Sequence, residues 1–219
     1  MTEASARNRR LTLMAMLAAM AYVAMLITRP LPAVAGFLSY DLKDVIVAIA
    51  GFLLGPAAAL AITAVVSLIE MVTVSSTGPI GLLMNVLSTA SFVLPSALLY
   101  RRSRTLKSAA LGLALGVALM TAVMLAWNYI ITPLYMNVPR AVVAGMLIPT
   151  FLPFNLVKGG LNAGITMLLY KPLAGALKKL LPAATGASAA PRRFNLAATL
   201  VSAFVVATCV ALFVLMTRG

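Results

Sequence analysis

Residues 111–131 read LGLALGVALMTAVMLAWNYII, 21 consecutive positions without a charge. A helix crosses the hydrocarbon core of a bilayer in roughly 20 apolar residues, so this stretch has the length and composition of one membrane span. It closes on Trp127-Asn128-Tyr129, followed by Thr132-Pro133 and Tyr135. Trp and Tyr favour the headgroup level, which places a water interface at this end.

The same pattern recurs outward from that stretch. Apolar runs occupy residues 11–28, 57–73, 80–100, 154–173 and 196–216, with a shorter run at 45–54 that turns through Gly55-Pro56. The short run reads as a tilted or partial span. Hydrophobic residues make up 63% of the 219 positions and charged ones 10%, a balance that a soluble core of this size does not need. The expected fold is therefore an all-α integral membrane protein. A cytoplasmic N-terminus covers 1–10 and a six-helix domain 11–181. A linker rich in Ala, Pro, Ser and Gly follows at 182–193, and an additional C-terminal transmembrane helix at 194–217.

The formal charge of +13 admits a nucleic-acid reading, but position argues for membrane topology. Arg7, Arg9 and Arg10, then Arg101, Arg102, Arg104 and Lys107, then Lys171, Lys178, Lys179, Arg192 and Arg193 fall in segments separated by even numbers of spans. All three lie inside if the N-terminus is cytoplasmic. The expected location is the plasma membrane, crossed several times, with no nucleic-acid partner. Cys209 is the lone cysteine, so the chain cannot form an internal disulfide.

An ionisable residue inside a span is a functional candidate, since Lys at a helix centre costs roughly 2.5–3.5 kcal/mol on insertion scales. Lys158 meets that description, and Asn155, Lys158 and Asn162 at i, i+3 and i+7 share one helix face. A ligand site and a lysine snorkelling to the interface both fit. Asn128, at a similar depth, offers a second amide toward a common outward cavity. Helix-to-helix hydrogen bonding accounts for the amides equally well. Glu70 admits a proton-carrying or a structural pairing role, and Asn85 the same two readings as the other amides. Asp41 and Asp44 stand in the first outer loop as partners for Lys43 or Arg29, as part of a lid, or as solvated charges. Ala15 and Ala19 make a small-residue step of the kind helix interfaces use. Without histidine, a phosphate-binding GxxxxGK[ST] loop or a carboxylate pair arranged for acid and base roles, catalysis has few candidate residues.

Five strings then carry a resemblance: FLSYDLKDV at 37–45, GFLLGPAAAL at 51–60, SSTGPIGLLMNVLSTASFV at 75–93, WNYIITPLYM at 127–136 and PFNLVKGGLN at 153–162. In this order, over residues 11–181, the chain resembles the riboflavin-specific S components of energy-coupling factor (ECF) transporters. The resemblance implies a six-helix S-component bundle with an outward vitamin site that captures riboflavin without ATP. No cofactor is implied, riboflavin being the transported ligand. The binding positions it implies are Asn128, Asn155 and Lys158, on the face shared with Asn162. Lid contributions come from 38–44, among them Leu38, Tyr40, Asp41 and Asp44. It also implies docking through helices one to three, including Ala15 and Ala19, onto a transmembrane T component that carries two ATPase subunits. The seventh apolar run departs from the family's six helices.

Overall fold

The structure, a computed structural model, describes residues 3–180 and 196–218. Its helices are α1 (Glu3–Thr28), α2 (Lys43–Leu54), α3 (Pro56–Thr73), α4 (Gly78–Ser103), α5 (Leu106–Met136), α6 (Arg140–Met146), α7 (Leu152–Leu180) and α8 (Leu196–Arg218), with a π-helical turn at Leu147–Phe151 between α6 and α7. Six stretches are long and apolar enough to cross a membrane, five in single helices and one running from α6 through the π turn into α7. The described residues form an all-α bundle whose longest irregular loop is at 29–42.

The shortest of the central helices explains the shortest apolar run. At 12 residues α2 spans only about 18 Å, yet every one of its residues is buried. A helix enclosed by protein on all sides is apolar all round, so its hydropathy resembles that of a span although it meets no lipid. Arg10 Nη2 donates to Leu54 O at 3.0 Å, satisfying a carbonyl at the negative end of the α2 dipole. The basic residues Arg7, Arg9 and Arg10 lie in the first turns of α1, which begins at Glu3.

The longer helices bury one face and turn the other outward. Along α3 the buried positions are Ala58, Ala59, Ile62, Thr63, Val66 and Ser67, whereas Leu60, Val65, Leu68 and Ile69 are exposed. Lipid accepts large apolar side chains as readily as a core does, and Ala57, Ala61 and Ala64 are exposed as well, so size alone does not set the face; glycines mark where helices approach most closely. The tightest such contact is between α4 and α5. A Cβ on Gly112 would fall 2.6 Å from Ser96 Cα, and one on Gly116 2.1 Å from Phe92 O. Thr105 and Ser108 cap the start of α5 reciprocally, each accepting the other's backbone N–H at 3.1 Å.

Residues 132–153, between the apolar runs at 111–131 and 154–173, are mostly helix. Pro133 lies inside α5, which continues to Met136, and residues 140–151 form α6 and the π turn. Prolines mark breaks in soluble sequences, but membrane helices accommodate them through local π adjustments, and here Pro149 sits within the π turn. The apolar run near the C-terminus forms α8, which packs along α7. The expected linker at 182–193 lies outside the described residues.

Candidate functional site: a polar cavity at one end of the bundle

The basic residues near the start of α1 and at the α4–α5 turn lie at one end of the bundle. A cavity of about 490 Å³ opens at the other. It is bounded by the 29–42 loop and by the adjacent ends of α1, α3, α4, α5 and α7. Phe37, Leu38, Ile80, Met84, Met124 and Phe154 give it apolar walls, and Glu70, Asn85, Asn128, Asn155 and Lys158 add polar groups.

The loop reaches the cavity through a tight hairpin. Val34 and Leu38 exchange both backbone hydrogen bonds at 3.0 Å, and between them Ala35 and Gly36 have φ of 52° and 79°. Two successive left-handed residues are what a type I′ turn requires, and glycine takes that conformation without strain. The hairpin tip carries Phe37 against Phe151 of the π turn, ring centroids 5.8 Å apart and edge to face.

α7 supplies the polar face. Asn155, Lys158 and Asn162 are all buried, as their helical spacing anticipates. Lys158 Nζ lies 2.8 Å from Asp41 Oδ2. Lys43 Nζ lies 2.6 Å from Glu70 Oε2. Below these pairs Tyr40 donates to Asn162 Oδ1 at 2.9 Å, Asn162 Nδ2 donates to Asp44 Oδ2 at 3.5 Å and Thr89 donates to Asp44 Oδ1 at 2.6 Å. Three of the chain's four acidic residues therefore meet in one network. Burial pushes the Asp41 carboxyl up, but the ammonium groups of Lys158 and Lys43 outweigh it and hold the group below its ordinary value. Burial, with Asp41 and Asp44 nearby, pushes the Tyr40 phenol well above its usual range, so Tyr40 remains a neutral donor. Asp41 Oδ1 is buried and has no hydrogen-bond partner among the described residues.

The amides are arranged differently from helix-bridging asparagines. Asn128 Nδ2 donates to Met124 O and Asn155 Nδ2 to Phe151 O, both at 2.7 Å and both within the same helical stretch. Thr132 donates to Asn128 Oδ1 at 2.9 Å. Each NH₂ retains a second N–H, and both residues line the cavity.

Of the residues singled out in the sequence, Leu38, Tyr40, Asp41, Asn128, Asn155 and Lys158 line the cavity. Asp44 and Asn162 do not. Asn162 lies two turns further along α7 than Asn155, about 10 Å deeper, and Asp44 opens the enclosed helix α2; both support the cavity from beneath. The pairings also differ from those expected. Lys43 meets Glu70, Asp41 meets Lys158, and Arg29 donates to Val74 O at 2.7 Å. Lys158 is ion-paired inside the bundle and does not snorkel. Glu70, Asn85, Arg29 and the aromatic Phe37 line the cavity as well. A polar side chain at the same end of an apolar run was the available signal for Asn85 and Glu70. Ala15 and Ala19 are exposed on α1.

Comparison with known proteins agrees with this architecture. The family described as ECF transporter, substrate-specific component, matches residues 9–170. The riboflavin transporter RibU of Staphylococcus aureus is 33% identical over 180 residues, 80% of this chain and 95% of that protein. The riboflavin transporter FmnP of Bacillus subtilis is 33% identical over 165 residues, 69% of this chain and 84% of that protein. A solved structure described as "Structure and mechanism of the S component of a bacterial ECF transporter" superposes with a TM-score of 0.67 at 32% identity, covering 78% of this chain and 99% of its own. With its apolar helices and its polar end cavity, this multi-pass membrane chain belongs to the substrate-specific (S) components of ECF transporters.

Proposed function

We propose that this chain captures riboflavin in the end cavity and delivers it, without transforming it, to a transmembrane T component and two ATPase subunits for ATP-driven import. The observation that carries the reading is the convergence of Asn128, Asn155 and Lys158 on one cavity of about 490 Å³, within the range of sites that enclose a small molecule. Relatives named as riboflavin transporters support the choice of ligand.

The isoalloxazine ring system is a planar apolar body with one edge of alternating acceptors and a donor. Phe37, Phe154, Met84 and Met124 offer it apolar surface. The free N–H of each amide and the Asn155 oxygen offer partners for its edge. Lys158 has three N–H donors, of which Asp41 takes one. Asp41 thus neutralises the ammonium while leaving it donors for an uncharged ligand. Arg29 on the cavity wall favours a second reading, a flavin bearing a phosphate, which competition with FMN separates from the first.

The basic end faces the cytoplasm in this proposal, by the excess of Arg and Lys there, so the N-terminus is inside and the cavity opens outward. Ala15 and Ala19 on the exposed face of α1 provide the small-residue surface for the T component.

Calorimetry with riboflavin tests the site. Asn155→Ala is expected to raise the Kd about tenfold, the worth of one buried ligand hydrogen bond, with little change in thermal stability because its recorded bond is local. Lys158→Ala is expected to weaken binding at least as much. Unchanged affinity in both variants would sink the assignment.

A further inference from the structure

The family match ends at residue 170, and α8 begins at Leu196, so this helix is an addition to the matched bundle. Its inner face is fitted closely to α7. A Cβ on Gly160 would fall 2.8 Å from Cys209 Sγ, and one on Gly164 2.7 Å from Val206 Cγ2 and 3.3 Å from Ser202 O. The glycine step of α7 is thus the seat of α8.

The contact extends past α7 to the cavity loop. Phe213 of α8 is 8% exposed, and its ring centroid lies 5.8 Å from that of Tyr40 at an interplanar angle of 56°. Around them Val34, Phe154, Val157 and Leu161 complete a small apolar cluster, separate from the main core, that joins the loop, α7 and α8. Tyr40 is therefore held on both sides. Its hydroxyl bonds Asn162 of α7, and its ring rests on α8. It lines the cavity and precedes Asp41, the partner of Lys158. Phe213 itself does not line the cavity. A helix that served only as a lipid anchor has no need to bury an aromatic ring against this loop.

We infer that Phe213 is a positioning residue for the vitamin site. It backs Tyr40, fixes the 29–42 loop over the cavity and so sets how long a bound flavin is retained. The retention part rests on the riboflavin reading, whereas the loop-bracing part does not.

The test uses the full chain with Phe213→Ala, Phe213→Leu and Gly164→Ala, following amide exchange in the ligand-free protein and riboflavin release by stopped flow. For Phe213→Ala the Val34 and Leu38 amides are expected to exchange faster. Release is expected to accelerate about tenfold, the upper end for one aromatic pair, with association changed less than about twofold. Phe213→Leu, which restores apolar volume, is expected to stay within about threefold of the parent. Gly164→Ala, which pushes against Val206, is expected to shift both readouts in the direction of Phe213→Ala, and it carries the comparison if that variant does not fold. Unchanged exchange in the loop overturns the inference. Faster exchange with unchanged release overturns the retention role. If the parent chain binds no riboflavin but Phe213→Ala still loosens the loop, the brace stands and the flavin reading falls.

Discussion

Removing Lys158 alone leaves the Asp41 carboxylate inside the bundle with its nearest cation gone, since the two are paired at 2.8 Å. Breaking a buried pair from one side typically costs about 3–5 kcal/mol, whereas replacing both partners by apolar residues is often neutral. Lys158→Met is therefore expected to lower the thermal midpoint sharply, and Lys158→Met with Asp41→Leu to recover most of it; additive losses in the double variant contradict the pairing. The pair also fixes an acid dependence. Burial opposes ionisation of Asp41, but the two ammonium groups win and lower its folded value. Stability from this group is complete above the unfolded carboxylate value of about 3.9 and is lost as the pH falls through the lowered folded value. Asp41→Asn should flatten that acid limb in a thermal melt series. The spacing of Asn155, Lys158 and Asn162 was legible in the sequence because one helix orders it. The partner of Lys158 was not, because Asp41 is 117 residues away and arrives through a loop whose path no periodicity records.

The helices show where apolar sequence stops being informative. Run length separated the spans well, since the 18-residue α3 and the 26-residue α4 are each long enough to cross. It could not tell the enclosed α2 from a lipid-facing helix, because both are apolar on every side. Nor could it decide which face of a helix turns inward when both faces are hydrophobic: in α3 Ile62 and Val66 are buried while Leu68 and Ile69 are exposed. Gly112 and Gly116, an unremarkable spacing in an alanine-rich chain, mark the closest approach of α4 and α5. Gly116→Leu places side-chain atoms where the Phe92 carbonyl lies and is expected to cost about 3 kcal/mol or more, read as a large fall in melting temperature in detergent. A melt unchanged by this substitution would show that the two helices do not pack as described. Proline is a poor guide in the opposite sense: Pro133, Pro149 and Pro153 would break a soluble helix, yet they lie in α5, the π turn and α7. That π turn ends at Phe151, whose carbonyl accepts from the Asn155 amide, so the irregularity sits where it orients a cavity residue.

Across the whole molecule, charge and chemistry are divided between two ends, with the basic clusters of α1 (Arg7, Arg9, Arg10) and the α4–α5 turn (Arg101, Arg102, Arg104) at one and the polar cavity at the other. The exposed Ala15 and Ala19 lie along α1 away from the cavity, and α8 packs on α7, leaving that surface of α1 uncovered among the described residues. This separation lets capture and docking be disabled independently. Ala15→Leu with Ala19→Leu is expected to abolish ATP-dependent riboflavin uptake by vesicles that also contain the T and ATPase subunits, while binding to the isolated chain stays within about twofold, as distant sites behave independently. Loss of both together would place the alanines in the binding fold instead. The measurement that bears most directly on flavin capture is a riboflavin titration of the purified, flavin-stripped chain followed through Trp127, its single tryptophan, which adjoins the cavity residue Asn128. Saturable quenching at one riboflavin per chain, absent with thiamine or biotin, is the predicted result; no saturable binding to the folded protein, by fluorescence or by calorimetry, would contradict it.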